Sequence, residues 1–467
     1  MSTQIGEPPA TVGHATEPAE AERLAELRDS GVDTLVIGAP DINCEFRSKR
    51  FALNLFAREE VEIAFSDYLF SADIVEELMR PRPGYEGYFP TESTGLPDIF
   101  VRPDWNLLRV LPWDPRTALV LGDFYTHEGE EMPISPRGVL RRVVERLRGL
   151  GVEPMAGSEY EFMVFRVDPA TARRQAVDLP PLSEGAAYGN TRAAVDEAVL
   201  GEVRRQLDEA GIPIEAANAE AMAGQNEITI RYSDAMTAAD NAFLYKHFIR
   251  ELLAREGMTA SFIAKYDPAG YGSSGHLHMS MRHGSVDGPP AFVGDEGGLS
   301  ETAGHAIAGF LSTLKEFTAF YAPFVNSYRR YQMDHSWAGD TVSWGIDNRS
   351  CSLRILNTTP ASTRIESRVP GADMNPYIAL AASLAGMGHG IENRLEPPPR
   401  IAGDAYADAG VEKIPNDLYA AVALLDDSKI ARDWLGTEFV NFYAETRFWD
   451  AEQHRLALTP WELRRYL

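Results

Sequence analysis

The chain has 467 residues and a formal net charge of −25, with 44% hydrophobic and 24% charged residues. That length favours one large domain with a smaller one, and the composition is typical of a globular enzyme. The negative charge argues against nucleic acid and anionic membranes as partners, because both bind basic surfaces.

Short apolar runs argue against a membrane protein, and the small number of cysteines argues against a disulfide-stabilised one. No uninterrupted apolar stretch approaches the roughly 18 residues of a membrane helix, and the N-terminus lacks the pattern of a secretion signal. The two cysteines, Cys44 and Cys351, are too few for a disulfide framework. We therefore expect a cytoplasmic protein without disulfides.

The first part of the chain predicts a tail and a small, mostly β domain. Residues 1–17 contain Gly, Pro, Thr and Ala without periodicity, which is typical of a disordered tail. A short helix is predicted over residues 19–30 and ends at Gly31. Strands are predicted over residues 33–38, 44–49, 99–101, 107–110 and 118–124. A small N-terminal domain is therefore expected over residues 18–125.

The second part of the chain alternates helices and strands. Ser135 is a good N-cap and Pro136 takes the first helical position, so a helix is predicted to begin there and to end at Gly149. Further strands are predicted over residues 157–165, 226–232, 276–282, 350–355 and 363–369. Further helices are predicted over residues 195–210, 237–255, 299–321 and 375–388. This alternation predicts one large α+β domain over residues 126–467.

Three pairs of polar residues are spaced two apart within predicted strands. The pairs are Glu159 and Glu161, His276 and His278, and Glu366 and Arg368. Residues two apart on a strand share a face, and carboxylates side by side in an apolar strand repel each other unless a cation lies between them. Carboxylate oxygens favour Mg²⁺ or Mn²⁺. A solvated strand face is the alternative for any single pair, but several pairs together favour a divalent-metal site.

Two glycine-containing segments and a group of arginines accompany these pairs. Gly224 lies between Glu220 and Glu227 and permits a tight turn that brings both carboxylates to one centre. The glycine-rich stretch before His276 lets the backbone approach a ligand closely. Six arginines lie within about forty residues: Arg329, Arg330, Arg349, Arg354, Arg364 and Arg368. Guanidinium groups facing a metal cluster suit phosphoryl transfer, although ordinary surface ion pairing is expected for about half of them.

Seven motifs resemble those of the glutamine synthetase family, in the same order and with similar spacing. They are SEYEF (158–162), EAMAGQNE (220–227), GSSGHLHMS (272–280), NSYRR (326–330), NRSCSLRI (348–355), RIESR (364–368) and NPY (375–377). The resemblance runs from about residue 30 to the C-terminus, so it covers both expected domains.

The resemblance implies an N-terminal β-grasp domain followed by a large catalytic domain. It also implies a homo-oligomer, a dodecamer of two hexameric rings with active sites between neighbouring subunits. The implied reaction needs Mg²⁺ or Mn²⁺ and has two steps. ATP phosphorylates the side-chain carboxylate of glutamate, and an amine then displaces the phosphate to give an amide.

Each residue that matches a family motif acquires an implied role. Metal ligands on the glutamate side are Glu161, Glu220 and Glu227, and those on the ATP side are Glu159, His276 and Glu366. Nucleotide positions are Glu215, Tyr232, His278, Ser280, Arg354 and Arg364. Glutamate-binding positions are Gly272, Arg330 and Arg368, and the arginine that stabilises the transferred phosphoryl group is Arg349.

The chain departs from the family pattern where the second substrate binds. In ammonia-using members, a flap after the NSYKR motif carries a glutamate that helps take a proton from ammonium, and Ser336 occupies that position here. The N-terminal loop has Ser66 in place of a family aspartate, or Asp67 if the loop shifts by one residue. Asp67 or a flap residue is then the candidate general base. Tyr188 matches the tyrosine of the ammonium pocket.

These departures favour a larger primary amine over ammonia, because a cation site that loses carboxylates binds ammonium poorly and leaves room. Polyamines, ethanolamine, alkylamines and anilines all stay open as acceptors. Asp334, Asp340 and Asp347 are candidates to meet the distal ammonium of a polyamine, whereas Trp337 and Trp344 suit a hydrophobic amine.

Three other interpretations stay open. A loop shift that returns Asp334 or Asp340 to the flap position would preserve the use of ammonia. A non-catalytic member that binds metabolites would lack metal ligands or phosphate-binding arginines, and all six ligand positions are filled here. The third interpretation keeps the ligase chemistry with a glutamate analogue as the acid.

Overall fold

The computed structural model describes residues 18–56, 61–294 and 297–467. The predicted tail, residues 1–17, lies outside these ranges. The described chain contains two β-sheets and twelve α-helices, so the α+β prediction is confirmed. Within these ranges, no helix combines the length and the apolar character that crossing a bilayer requires.

Six strands form the N-terminal sheet. They are β1 (Thr34–Pro40), β2 (Phe46–Ala52), β3 (Ala64–Ser66), β4 (Asp98–Pro103), β5 (Arg109–Leu111) and β6 (Asp114–Tyr125). The order is β2-β1-β6-β4-β3 with β5 paired to β6, and β1 runs parallel to β6. The predicted strands of this region are found, and the three-residue β3 is an addition. The β-grasp description and the domain boundary at residue 125 stay predictions.

Strand β2 begins two residues later than predicted because a tight turn precedes it. Asp41 Oδ1 accepts hydrogen bonds from the backbone N–H groups of Asn43 at 2.9 Å and Glu45 at 2.8 Å. Cys44 has a φ of 66°, which is outside the extended region. The extended backbone therefore starts only at Phe46.

Eight strands form the larger sheet, which carries most of the predicted site residues. They are β7 (Val152–Phe165), β8 (Ile214–Ala219), β9 (Gln225–Asp234), β10 (Thr259–Ser261), β11 (Gly275–His283), β12 (Trp344–Ile346), β13 (Leu353–Leu356) and β14 (Arg364–Ser367). The order is β12-β13-β14-β11-β7-β9-β8, with β10 paired to β7. The long central strands β7, β9 and β11 were predicted, whereas β8, β10 and β12 were not.

Twelve helices surround the sheets. They are α1 (Pro18–Asp29), α2 (Tyr68–Ser71), α3 (Pro136–Gly149), α4 (Pro169–Gln175), α5 (Asn190–Glu209), α6 (Ala235–Arg255), α7 (Glu301–Tyr321), α8 (Pro376–Asn393), α9 (Leu418–Asp427), α10 (Lys429–Leu435), α11 (Thr437–Leu456) and α12 (Pro460–Tyr466). Helix α3 starts and ends where the sequence predicts. Ser135 takes the N-cap position, but its hydroxyl makes no capping hydrogen bond.

One face of the larger sheet is apolar and lies against helices. Strand β7 buries Tyr160 and Phe162, and β11 buries Leu277 and Met279. Helices α3 and α6 pack against β7, and α8 packs against α3, α6 and α7. Because side chains alternate along a strand, the residues between these apolar ones point to the opposite side of the sheet. The packing therefore fixes which face is available for polar chemistry.

A buried ion network joins the N-terminal sheet to the helices of the larger domain. Arg137 on α3 donates to Asp240 on α6 at 2.9 Å and to Asp123 on β6 at 2.6 Å. The hydroxyl of Tyr377 on α8 also donates to Asp240 at 2.7 Å. Asp240 is 2% exposed, and its burial raises its pKa while Arg137 opposes that rise. The arginine is therefore the main compensation for a carboxylate that has lost its water.

Replacing Arg137 is expected to destabilise the fold. Arg137→Met leaves the Asp240 carboxylate buried without its cation, which costs about 3–5 kcal/mol. The measurement is the free energy of unfolding in urea. Arg205→Met, which breaks an exposed ion pair on α5, serves as the control and should cost less than about 1 kcal/mol. Adding Asp240→Asn to Arg137→Met should recover part of the lost stability. Equal losses of stability in Arg137→Met and Arg205→Met would contradict the role of Arg137.

Candidate active site

Strand register places the predicted polar pairs on one face of the larger sheet. His276 on β11 lies directly opposite Glu159 on β7. His278, two residues further along β11, lies directly opposite Glu366 on β14. Residues that face each other on neighbouring strands point to the same side of the sheet. Three strands therefore contribute side chains to one polar surface.

Glu161 extends this surface toward the next strand. It lies two residues beyond Glu159 on β7 and directly opposite Glu227 on β9. Glu220 lies just before β9, and its carboxylate accepts a hydrogen bond from Asn218 at 2.7 Å. We call the shared surface the carboxylate face. Its members are Glu159, Glu161, Glu227, His276, His278 and Glu366.

The carboxylate face holds acids that repel one another. Burial and the neighbouring carboxylates of Glu159 and Glu161 raise the pKa of Glu227 to about 9. Burial and Glu220 raise the pKa of Glu161 to about 7, although the backbone N–H of Ser274 donates to Glu161 at 2.8 Å. Ionising these groups together is therefore unfavourable unless a further cation is present.

Glu159 differs from its neighbours because two imidazoles face it. Burial acts to raise its pKa, but His276 and His278 hold that pKa well below its usual range. Nε2 of His278 lies 3.0 Å from Glu159 Oε1. Arg364 donates to Nδ1 of His278 at 3.1 Å, so a neutral ring carries its proton on Nε2. In this tautomer, Nε2 of His278 faces Glu159, and it has no hydrogen-bond partner among the described residues.

Two sets of three donors lie close enough to hold a cation. Ligand atoms lie within 4.8 Å of one another among Glu159, Glu227 and His276, and likewise among Glu159, Glu366 and His278. Carboxylate oxygens dominate both sets, and Nε2 of His276 is buried without a hydrogen-bond partner among the described residues. This donor chemistry fits Mg²⁺ or Mn²⁺.

The division of six ligands between two metals stays a prediction. In the described chain, Glu161 and Glu220 do not join Glu227 in a set at that distance. Glu161 is instead occupied by hydrogen bonds from Ser274 N–H and from Gln225 Nε2 at 3.0 Å. Glu159 belongs to both sets, so it is the carboxylate on which either cation position depends.

Two arginines neutralise Glu366, the member of the carboxylate face on β14. Arg354 donates to Glu366 at 2.9 Å, and Arg368 forms a second ion pair with the same carboxylate. Burial acts to raise the pKa of Glu366, but His276 and Arg368 lower it to about 2. Arg354 also donates to Asp347 at 2.7 Å. Asp347, a candidate for meeting an amine, is therefore already paired.

The predicted glutamate-binding residues Gly272 and Arg330 are in contact. Arg330 is 2% exposed and donates to Val369 O and to Ser274 Oγ, both at 2.9 Å. A Cβ atom on Gly272 would lie 2.4 Å from Cγ of Arg330, so only glycine fits there. The structure thus explains this glycine by the arginine beneath it. Contact of either residue with glutamate stays a prediction.

The predicted nucleotide positions extend from the same face to the edge of the sheet. Ser280 follows His278 by two residues on β11 and therefore shares its side of the sheet. Glu215 lies at a bulge in β8 and is exposed. Tyr232 on β9 is also exposed. These residues form an open rim beside the buried carboxylates.

The N-terminal candidates lie on the other sheet. Ser66 donates to the backbone oxygen of Leu96 at 3.1 Å. Asp67 is buried, its pKa is raised by burial, and it accepts a hydrogen bond from the hydroxyl of Tyr88 at 3.0 Å. These bonds hold the loop within the N-terminal sheet and do not join it to the carboxylate face of the same chain. A catalytic role for either residue stays a prediction.

The residues predicted for the amine pocket are divided between different environments. Tyr188 is 76% exposed and lies near Glu220, whose charge raises its pKa. Asp340 is buried and pairs with Lys413 at 3.2 Å, whereas Asp334 is exposed. Ser336, in the predicted position of the family glutamate, is buried. Asp340 is therefore already ion-paired through Oδ2, while its Oδ1 is buried without a hydrogen-bond partner among the described residues.

A cavity of about 510 Å³ lies beside the flap, residues 331–340. Trp337 and His335 come from the flap, and Arg349 and Asp404 lie on other segments of the wall. His335 Nε2 lies 2.8 Å from Asp404 Oδ2, which ties the flap to the segment 401–406. Arg349 is exposed, and the predicted site residues in the lining are Arg349, Trp337 and Asp347. The structure thus brings the predicted phosphoryl-stabilising arginine next to the flap.

Sequence reasoning missed part of this cavity. Asn348 Nδ2 donates to Gly403 O at 2.8 Å, and Ser350 Oγ accepts from Ala405 N–H at 2.9 Å. These bonds place Asp404 opposite the flap. The motif containing Asn348 was recognised, but its partners are more than fifty residues away in the chain, so no local pattern could reveal them.

The catalytic-domain model of glutamine synthetase matches residues 133–466. A glutamate–isopropylamine ligase from Pseudomonas sp. is 37% identical over 460 residues, covering 96% of this chain and 98% of the relative. The gamma-glutamylethanolamide synthetase GlnA4 of Streptomyces coelicolor is 36% identical and covers 97% of both chains. A solved complex of GmaS with ADP has a TM-score of 0.81 at 26% identity, covering 95% of this chain and 98% of GmaS.

Magnesium binding is expected to release protons and to strengthen as pH rises. The pKa values of about 9 for Glu227 and about 7 for Glu161 mean that both carboxyls bind protons near neutrality. Mg²⁺ must displace these protons, so its affinity should increase from pH 6 to pH 9. Calorimetry in two buffers of different ionisation enthalpy measures both quantities.

A variant pair separates this site from general charge effects. Glu227→Gln should lower both the Mg²⁺ affinity and the number of protons released. Glu202→Gln, at an exposed position on α5, should change neither. An affinity that stays constant or falls between pH 6 and pH 9 would contradict the assignment.

Proposed function

The chain belongs to the glutamine synthetase family, and we propose that it is an ATP-dependent ligase that joins glutamate to a primary amine. The observation that carries the proposal is a carboxylate face with two donor sets that can hold a cation, beside a flap whose buried acid is already ion-paired. Asp340, the buried acid of residues 331–340, is bound to Lys413. The amine-ligase activities in the names of both relatives support the same conclusion.

The carboxylate face is the proposed metal site. Glu159, Glu227, His276 and Glu366 would hold Mg²⁺ or Mn²⁺, with Glu161 and Glu220 beside them. A divalent ion bound there would neutralise negative charge on the phosphates of ATP. Nucleotide use is supported by the ADP complex of the GmaS neighbour. We place the nucleotide along the rim formed by Ser280, Glu215 and Tyr232.

The first chemical step transfers a phosphoryl group. A γ-carboxylate oxygen of glutamate attacks the γ-phosphorus of ATP, and the bond to ADP breaks. Arg330 and Arg368 would supply the positive charge that attracts the glutamate carboxylates. Arg349 is exposed next to the flap, where its charge would stabilise the transferred phosphoryl group.

The second step forms the amide. The unprotonated amine nitrogen attacks the γ-carbonyl carbon, the bond to phosphate breaks, and the nitrogen loses a proton. Ser336 is smaller than the glutamate that ammonia-using members carry, and the flap borders a cavity of about 510 Å³ that can take a substituent on the nitrogen. Asp67 is the proposed general base. Because its hydrogen bonds hold it within the N-terminal sheet and do not join it to the carboxylate face of its own chain, we assign this role to Asp67 of a neighbouring subunit.

We also propose the family's oligomer, a dodecamer of two hexameric rings. Ser66 and Asp67 make their hydrogen bonds within the N-terminal sheet of their own chain. A second copy that places this loop over the carboxylate face would complete the site at the subunit boundary. Sites between neighbouring subunits are what the motif resemblance implies.

Product analysis tests the proposed function. With Mg²⁺, ATP, glutamate and a panel of primary amines, the protein should form ADP, phosphate and a γ-glutamylamide in equal amounts, as measured by mass spectrometry. Glu159→Gln should reduce the rate by about 100-fold or more, because both donor sets use that carboxylate. Glu202→Gln is the matched control and should retain the rate.

Two outcomes would contradict the proposal in different ways. Turnover with ammonia that equals or exceeds turnover with every amine would identify a glutamine synthetase that uses ammonia. Absence of ADP formation with every acceptor would identify a metabolite-binding protein without ligase activity.

A further inference from the structure

The cavity beside the flap borders the proposed position of the transferred phosphoryl group. Arg349, the proposed phosphoryl-stabilising arginine, lies in its wall together with Trp337 of the flap. A nitrogen that attacks the acyl phosphate near Arg349 would direct its substituent into this space. Its volume of about 510 Å³ lies within the range of small-molecule sites. The chemistry of this lining therefore bears on which amine is accepted.

The neutral polar side chains of the cavity are already hydrogen-bonded. Asn348 Nδ2 donates to Gly403 O at 2.8 Å, and Asn348 Oδ1 accepts from Ser350 N–H at 3.0 Å and Ser350 Oγ at 2.7 Å. Ser350 Oγ also accepts from Ala405 N–H at 2.9 Å. These bonds hold the segment 401–406 in place. A hydroxyl group on the amine would have to compete with them.

The acids of the cavity are paired as well. Asp404 lies 2.8 Å from His335, and Asp347 accepts from Arg354 at 2.7 Å. Hydrogen bonding to His335 lowers the pKa of Asp404, so this carboxylate is charged and occupied near neutrality. In the part of the lining that the structure describes, Arg349 is a cation without an ion-pair partner. A second ammonium would therefore have to compete with His335 and Arg354 for these two carboxylates, and it would lie near the charge of Arg349.

The remaining surface of the cavity is apolar. Trp337 is 42% exposed, and Ile346 and Ala402 also line the space. The ring of Trp337 packs near those of His335 and Tyr406, with centroids 6.0 Å and 6.1 Å away. This packing holds the indole against the cavity. An alkyl group would bury against it without disturbing any hydrogen bond.

We infer that the acceptor is a primary monoamine with an apolar substituent, and that this substituent lies in the cavity against Trp337. The inference rests on the proposed ligase function and narrows its substrate class. Polyamines are disfavoured because the cavity offers their distal ammonium no free acid, and amino alcohols because its neutral polar groups are occupied.

Three amines of equal size test the inference directly. n-Pentylamine, 4-amino-1-butanol and 1,4-diaminobutane have the same number of non-hydrogen atoms and differ at the far end. The kcat/KM for n-pentylamine should exceed that of both others by about tenfold or more. A diamine or an amino alcohol that equals or exceeds n-pentylamine overturns the inference while the ligase function stands. Failure of every amine to form an amide overturns the proposed function itself.

Substitution of Trp337 tests whether the apolar substituent of the amine lies against this side chain. Trp337→Ala should lower kcat/KM for n-pentylamine by about tenfold and change that for methylamine much less, because methylamine does not reach the indole. The KM values for ATP and glutamate should stay the same. Trp461→Ala is the control, since Trp461 is an exposed tryptophan on α12 that does not line the cavity. It should leave the ratio of the two amines unchanged.

A second variant of Trp337 distinguishes contact with the substituent from a general effect on the flap. Trp337→Phe keeps an aromatic ring and should preserve most of the preference for n-pentylamine. Equal losses for n-pentylamine and methylamine in Trp337→Ala would mean that Trp337 acts on flap closure alone, which would overturn its assignment to the substituent.

Discussion

The repulsion among carboxylates on one face of the larger sheet is the constraint on which the rest of the site depends. Strand register places Glu159, Glu161 and Glu227 together, and burial removes the water that would otherwise solvate them. The two histidines of β11 compensate Glu159, and two arginines compensate Glu366. Glu161 and Glu227 still have too little positive charge near them. This surface is therefore suited to divalent cations and, through them, to ATP.

The fold holds these acids in place from behind and from the side. Apolar residues of the same strands pack against helices, so a strand cannot slip by one residue without exposing its buried face. Arg137 ties the N-terminal sheet to helix α6 through a buried carboxylate. The hydrogen bonds of Asn348 and the contact between His335 and Asp404 then position the flap beside Arg349. The scaffold, the proposed metal site and the proposed acceptor cavity are thus connected through these contacts.

Sequence reasoning reached the parts of the molecule that follow local rules. The two-residue period of a strand predicted that Glu159 and Glu161 share a face, and helix α3 has the ends that its Pro and Gly residues predict. Register between strands is not local, so the opposition of His278 and Glu366 could not be foreseen. The same limit applies to Asp404, which meets the flap across 69 residues of chain. The ion pair between Asp340 and Lys413 is also a contact between distant parts of the chain, so the sequence pattern did not reveal that this acid is occupied.

Anomalous diffraction from crystals grown with Mn²⁺ and ADP tests the central claim most directly. Manganese is expected on the carboxylate face, in contact with Glu159 and with a donor from β9, β11 or β14. Peaks at that position in the parent protein, and their loss in Glu159→Gln, are the expected result. Manganese bound only elsewhere, with the carboxylates of the face left without a cation, would contradict the account.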